Sequence, residues 1–127
     1  MVEMDPLRTS ATVTEAIRSA IDSALEPGEQ VMHLVPAIGC TLALTPRRLI
    51  VAREGSAFRP KTGVRHWDLD ERLSVRVGLV RHGSGSLVID WDREATSVFV
   101  DADHWDEALA LVGAARAGIR RAEEAGE

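Results

Sequence analysis

The 127-residue chain has a single cysteine, Cys40, so no disulfide forms within it. It has no run of 18 apolar residues, so the sequence predicts no membrane-spanning helix. Lysine is almost missing too: fourteen of the fifteen basic residues are arginine, a bias that either bidentate anion recognition or high-GC codon usage produces, of which we favour codon usage. The opening Met1-Val2-Glu3-Met4-Asp5-Pro6 lacks the basic-then-apolar order of a secretion signal, which leads us to expect a cytoplasmic protein. Enzymatic signatures are missing as well: there is no nucleophile elbow, no Gly-x-x-x-x-Gly-Lys phosphate loop and no dinucleotide fingerprint. Gly83-Ser84-Gly85-Ser86 lacks those contexts and reads as a hairpin turn, and Cys40 has no nearby histidine in sequence to activate it. We therefore expect no enzyme, no catalytic residue and no cofactor.

What is present fits one domain: 45% apolar and 28% charged residues in 13.8 kDa, enough to bury a core without metal or disulfide. The net charge of −5 hides an uneven distribution. Residues 1–30 carry −4, residues 31–65 carry +5 and residues 66–127 carry −6. The basic middle consists of Arg47, Arg48, Arg53, Arg59, Lys61 and Arg65, with Glu54 alone against them. Few aromatics interleave with these cations and both flanks are acidic, which argues against nucleic acid as a partner.

From Thr12 to Leu25 the apolar residues Val13, Ile17, Ala20, Ile21, Ala24 and Leu25 recur at helical spacing. Thr12 and Glu15 have capping-box spacing, and Pro27-Gly28 ends the segment. Beyond Gly28 the period changes to short β-branched runs between turn signals. These predict seven strands: 30–37, 40–44, 48–53, 64–69, 73–80, 86–91 and 96–100. Pro36 marks the first as an edge or a bulge. In the fifth, Leu73, Val75, Val77 and Leu79 alternate with Ser74, Arg76 and Gly78, the pattern of a half-buried strand. From Asp103 the helical period returns with Trp105, Ala108, Leu109, Val112, Ala115 and Ile119; Asp103 is placed to cap this helix. Seven strands in so small a domain should curl into an antiparallel barrel or orthogonal sandwich, closed by the final helix. The expected organisation is an N-terminal helix over 1–27 packed on the domain, a β-domain with its closing helix over 28–122, and a fraying tail over 123–127.

Two chemical patterns dissolve on inspection. Trp67-Asp68, Trp91-Asp92 and Trp105-Asp106 are not propeller repeats, because their spacing and the chain length are both too short; three core or rim tryptophans are expected. His66, Asp68 and Asp70 would share one strand face but spread too far to hold one ion, so no metal site is expected.

Three stretches carry a family resemblance. Leu25-Glu26-Pro27-Gly28-Glu29-Gln30-Val31 is similar to the Leu-x-Pro-Gly-Glu segment leading into the first strand of bacterial PH-like, GRAM-like domains of the pleckstrin-homology superfold. Leu44-Thr45-Pro46-Arg47-Arg48-Leu49-Ile50 resembles the turn between their second and third strands, and the Trp-bearing final helix is the third stretch. The resemblance spans about residues 24–122 and implies a seven-stranded β-fold closed by a helix. It also implies that the loop between the third and fourth strands lies at the ligand-binding end. The superfold hosts lipid binders, peptide binders and docking modules. Residues 30–46 contain no Lys or Arg, so the basic signature of inositol-lipid binders is missing.

These readings lead to an expected interaction module that docks an unknown protein or peptide. Two places are candidates: the groove between the fifth strand, at Val75 and Val77, and the final helix; and the loop bearing Phe58, Arg59 and Lys61 with Arg65 beyond it. The alternative is weak peripheral binding to anionic membrane lipid through residues 54–65. Homodimerisation through the apolar helix stripes is compatible with either.

Overall fold

The computed structural model describes residues 13–53 and 63–125. Its elements are α1 (Glu15–Ala24), β1 (His33–Ala37), β2 (Cys40–Leu44), β3 (Arg48–Arg53), β4 (Val64–Asp68), β5 (Leu73–Arg81), β6 (Ser84–Trp91), β7 (Glu94–Val100) and, after a 3-10 turn over Ala102–His104, α2 (Trp105–Ala125). Seven strands and two helices therefore fall in the expected order. The boundaries differ where local chemistry overrides the pattern. Thr14, not Thr12, caps α1, its Oγ1 accepting from the Ile17 amide. The β5–β6 turn is His82-Gly83, both left-handed with φ of 56° and 82°, so the hairpin is tight and Ser84 and Gly85 already belong to β6. α2 starts after a 3-10 turn that begins beyond Asp101, and it continues through Ala125, past the expected boundary at 122.

The strands form two antiparallel sheets, ordered β1-β2-β3-β4 and β5-β6-β7. They do not close into a barrel, which corrects one form of the sequence expectation. After Asp68 the chain folds into a turn in which the Leu69 amide donates to Arg47 O and the Leu73 amide to Asp70 O. That turn carries the chain from one sheet to the other instead of extending a shared ladder. At the far side the Ile38 amide donates to Phe99 O at 2.8 Å, joining the β1–β2 turn to β7. β1 is an edge strand, as Pro36 requires.

The four-stranded sheet is buried on both faces, which explains why β2 and β3 read as continuous apolar runs. One face supplies Val35, Leu42, Leu44, Leu49, Val51 and Trp67 to the main core, where β5–β7 and α2 add Leu73, Val75, Leu87, Ile89, Val98, Leu111 and Val112. The other face presents Ala43, Ile50 and Ala52 to Ile17 and Ile21 of α1. Both helix stripes are thus used within the chain. Of the tryptophans, Trp67 is buried, while Trp91 and Trp105 are partly buried at the rim of the core.

Two glycines of α2 separate packing from propensity. A Cβ on Gly118 would come within 2.7 Å of Leu69 Cδ1, whereas one on Gly113 would meet nothing within 4 Å. Gly113→Ala is expected to raise stability by about 0.5–1 kcal/mol, because it removes backbone freedom from the unfolded chain at no steric cost. Gly118→Val is expected to lower it by ~1–3 kcal/mol through overpacking against Leu69. Urea denaturation of the two variants checks the opposite signs.

Candidate functional site

Residues of the 25–31 and 44–50 segments meet in one buried cluster. Glu29 Oε2 accepts from Arg48 Nε at 2.9 Å and from Thr45 Oγ1 at 2.6 Å, while its Oε1 accepts from Arg48 Nη2 and from the Glu26 amide. Arg48 Nη2 also donates to Ala24 O at 2.8 Å. Thr45 Oγ1 accepts from the amides of Arg47 and Arg48, which shapes the β2–β3 turn. The two charged side chains are only 7% and 1% exposed for Arg48 and Glu29. Hydrogen bonding to Arg48 is the main reason the Glu29 carboxyl is held down to about 2 from its ordinary 4.5, against the opposing effect of burial. All the polar atoms here are partnered, so the cluster is an anchor between the end of α1 and the β2–β3 turn. Arg47, beside it, is exposed and pairs with Glu26 at 3.1 Å.

The basic loop divides. Phe58, Arg59 and Lys61 lie outside the described residues. Arg65 lies on β4 with its guanidinium 5.1 Å from the Trp67 ring centroid and 3.1 Å from Glu94 Oε1. It holds the β6–β7 turn near β4, beside an open cleft of about 370 Å³ lined by Arg65, His66, Trp67, Asp68, Trp91 and Glu94. His66 and Asp68 are exposed on β4, and Asp70 in the following turn accepts from Arg72. Among the described residues no three metal-ligating side chains converge.

Val75 and Val77 occupy different situations on one strand. Both backbones lie on β5, the edge of its sheet. The Val75 side chain is buried, and its carbonyl accepts from Arg116 Nε of α2 at 3.0 Å. That bond shows the Val75 carbonyl facing away from β6, and alternation turns the Val77 backbone the same way. The edge is therefore capped at Val75. Beyond Val77 the register shifts at a bulge. The Leu79 amide donates to Ser86 Oγ there, and a Cβ on Gly78 would overlap that same oxygen. Past the bulge Leu79 is 80% exposed and Val80 53%.

α2 runs antiparallel to β5. Its first residue, Trp105, lies against Gly85, which pairs with Val80, while Arg116 reaches Val75. Leu109, 42% exposed, stands seven residues before Arg116 and so on the same helix face, about 10 Å nearer the N-terminus. That displacement corresponds to roughly three strand residues, placing Leu109 opposite the stretch just after the bulge. Gly113 leaves open space between Leu109 and Arg116. Beyond that cap the β5 edge carries Val77 and the exposed Val80, and the exposed Leu109 lies on the same α2 face as Arg116. Sequence periodicity placed Val77 there, but Arg116 carries no signal in sequence because its partner is a backbone carbonyl 41 residues away.

Comparisons of the chain with family models, with curated proteins and with solved structures find no match. Among the described residues no helix is long and apolar enough to cross a membrane.

The Glu29 cluster yields a signed prediction. A carboxyl held below its ordinary value stabilises the fold fully above about pH 4.5 and loses that contribution as pH falls toward about 2. Glu29→Gln is expected to cost ~3 kcal/mol at about pH 7, because it leaves Arg48 buried without its counter-charge. The wild-type advantage over Glu29→Gln should shrink steadily between about pH 4.5 and about pH 2. Urea midpoints at several pH values measure it, and a constant difference across that window excludes the assignment.

Proposed function

We propose that the chain is a PH-like, GRAM-like docking module without enzymatic activity, which takes an extended segment of a protein partner along the outer half of β5 beside the first turns of α2. The observation that carries this reading is the divided edge of β5. Its inner half is covered by α2 and capped by Arg116, whereas its outer half presents a sheet edge between exposed Leu79, Val80 and Leu109. An exposed apolar edge strand invites another strand, and main-chain pairing with side-chain pockets on one side is a recurrent mode of peptide capture. The order of seven strands followed by a closing helix agrees with what the resemblance implies.

A second reading, weak attachment to anionic lipid through residues 54–65, has one observation in its favour. Ile38 and Phe99 are exposed and joined by a backbone hydrogen bond, and the neighbouring Cys40 pairs with Arg53 at the end of β3, so an apolar pair lies near that end of the sheet. Arg65, however, already has Glu94 as its partner. Each remaining cation adds about 1 kcal/mol at an anionic surface, a weak hold for a chain of net charge −5.

Selection from a random hexapeptide library is expected to yield peptides with apolar residues at alternate positions. Val80→Asp and Leu109→Asp should each weaken their binding by roughly tenfold or more, since each removes a buried aliphatic contact of about 1.5–3 kcal/mol. Methylating alternate peptide amides should abolish binding, because it removes the ladder donors. Circular dichroism establishes that the variants are folded. Binding indifferent to both substitutions sinks the groove, and pelleting with phosphatidylserine vesicles that Arg59→Glu with Lys61→Glu abolishes would favour the lipid reading instead.

A further inference from the structure

The groove has a direction and an end, and together they specify its occupant more closely than apolarity does. The Arg116 side chain lies across the β5 edge, its Nε on the Val75 carbonyl at 3.0 Å. A strand paired along Val77–Val80 thus meets a side chain where its next ladder partner would be. It must stop or turn away there. β5 runs from the capped end at Val75 toward the open end at Arg81, and every pairing in both sheets is antiparallel. A segment that continues the antiparallel sheet on β5 runs the opposite way, from the Arg81 end toward Val75. Its C-terminal end therefore arrives at Arg116.

The chemistry at that end agrees with the direction. Among the described residues no carboxylate pairs with Arg116, and its bond to the Val75 carbonyl uses Nε, leaving the terminal nitrogens as donors at the groove's inner end. Gly113, one turn earlier on the same side of the helix, leaves open space for the approach. Guanidinium binds carboxylate with paired, charge-assisted hydrogen bonds and repels an ammonium. We propose that the occupant is the free C-terminus of a partner chain: a few extended residues, apolar at the positions facing Val80 and Leu109, whose terminal carboxylate is held by Arg116. This rests on the docking reading of the same groove and adds to it the identity of the end that binds.

The test uses two synthetic hexapeptide libraries of identical degenerate composition, one ending in a free carboxylate and the other in a carboxamide, with fluorescence anisotropy on the peptides recovered from each. The free-acid library is expected to yield the tighter binders, and converting a recovered peptide to its amide should weaken it roughly tenfold to a hundredfold, the span of one or two charge-assisted hydrogen bonds. Arg116→Gln should bring acid and amide forms to the same affinity. Arg116→Lys should retain part of the preference. Peptides that bind equally well as acid and amide, or an acid preference that survives Arg116→Gln, would overturn the proposal and leave the docking groove standing. Recovery of no peptide from either library overturns both.

Discussion

The buried pairing of Glu29 with Arg48 sets the frame on which the rest is built. Taking two charges out of water costs several kcal/mol per ion, and only excellent geometry with every remaining donor and acceptor engaged repays it. Here that condition is met: Arg48 divides its donors between the carboxylate and Ala24 O, while Thr45 and the Glu26 amide complete the carboxylate's shell. The pair joins the end of α1 and the adjoining approach to β1 to the β2–β3 turn, 19 residues beyond Glu29. A hydrophobic contact of the same size holds segments together without fixing their register. A bidentate pair also fixes orientation, and the orientation of the β2–β3 turn carries over to β4, whose continuation donates the Leu69 amide to Arg47 O.

From that anchor follows an asymmetry between the sheets. Sheet β1-β2-β3-β4 has a helix on one face and the core on the other, so its central strands are apolar throughout. Sheet β5-β6-β7 has the core on one face and no helix on the other among the described residues, so β5 alternates. α2 is then asked to close the core over both sheets, and it does so by lying along the inner half of β5. The open outer half of the groove is a consequence of one helix spanning two sheets, and the Arg116 bond fixes the point where covered edge becomes uncovered edge.

The architecture was legible because periodicity reports burial, and burial here is regular. The switch from helical to strand spacing at Gly28 and back near Asp103 needed nothing beyond one side chain per position. What escaped were features decided by backbone or by distant partners. The capping-box spacing pointed to Thr12, whereas Thr14 caps α1 through the Ile17 amide. Strict alternation in β5 pointed Leu79 inward with Val77, yet the bulge at Gly78 turns it out, since two residues there oppose Ser86 alone. The motif residues Glu29, Thr45 and Arg48 were read as two separate landmarks. Their union is a long-range ion pair that no spacing rule encodes.

The basic island also changes meaning once partners are assigned. Arg47 and Arg48 face Glu26 and Glu29, and Arg65 faces Glu94, so half of the six cations that made residues 31–65 stand out at +5 are neutralised by acids drawn from the flanking segments. Segment charge therefore mistakes folding pairs for a recognition surface. Arg116 belongs to the acidic C-terminal flank and contributes nothing to any basic run, yet among the described residues it meets no carboxylate. A cation that stabilises the fold is surrounded by acids of its own chain, whereas a cation that recognises an acid must leave that position vacant. By this criterion Arg116, held on the Val75 carbonyl, is a better candidate for anion recognition than the paired arginines of the cluster that the charge count first exposes.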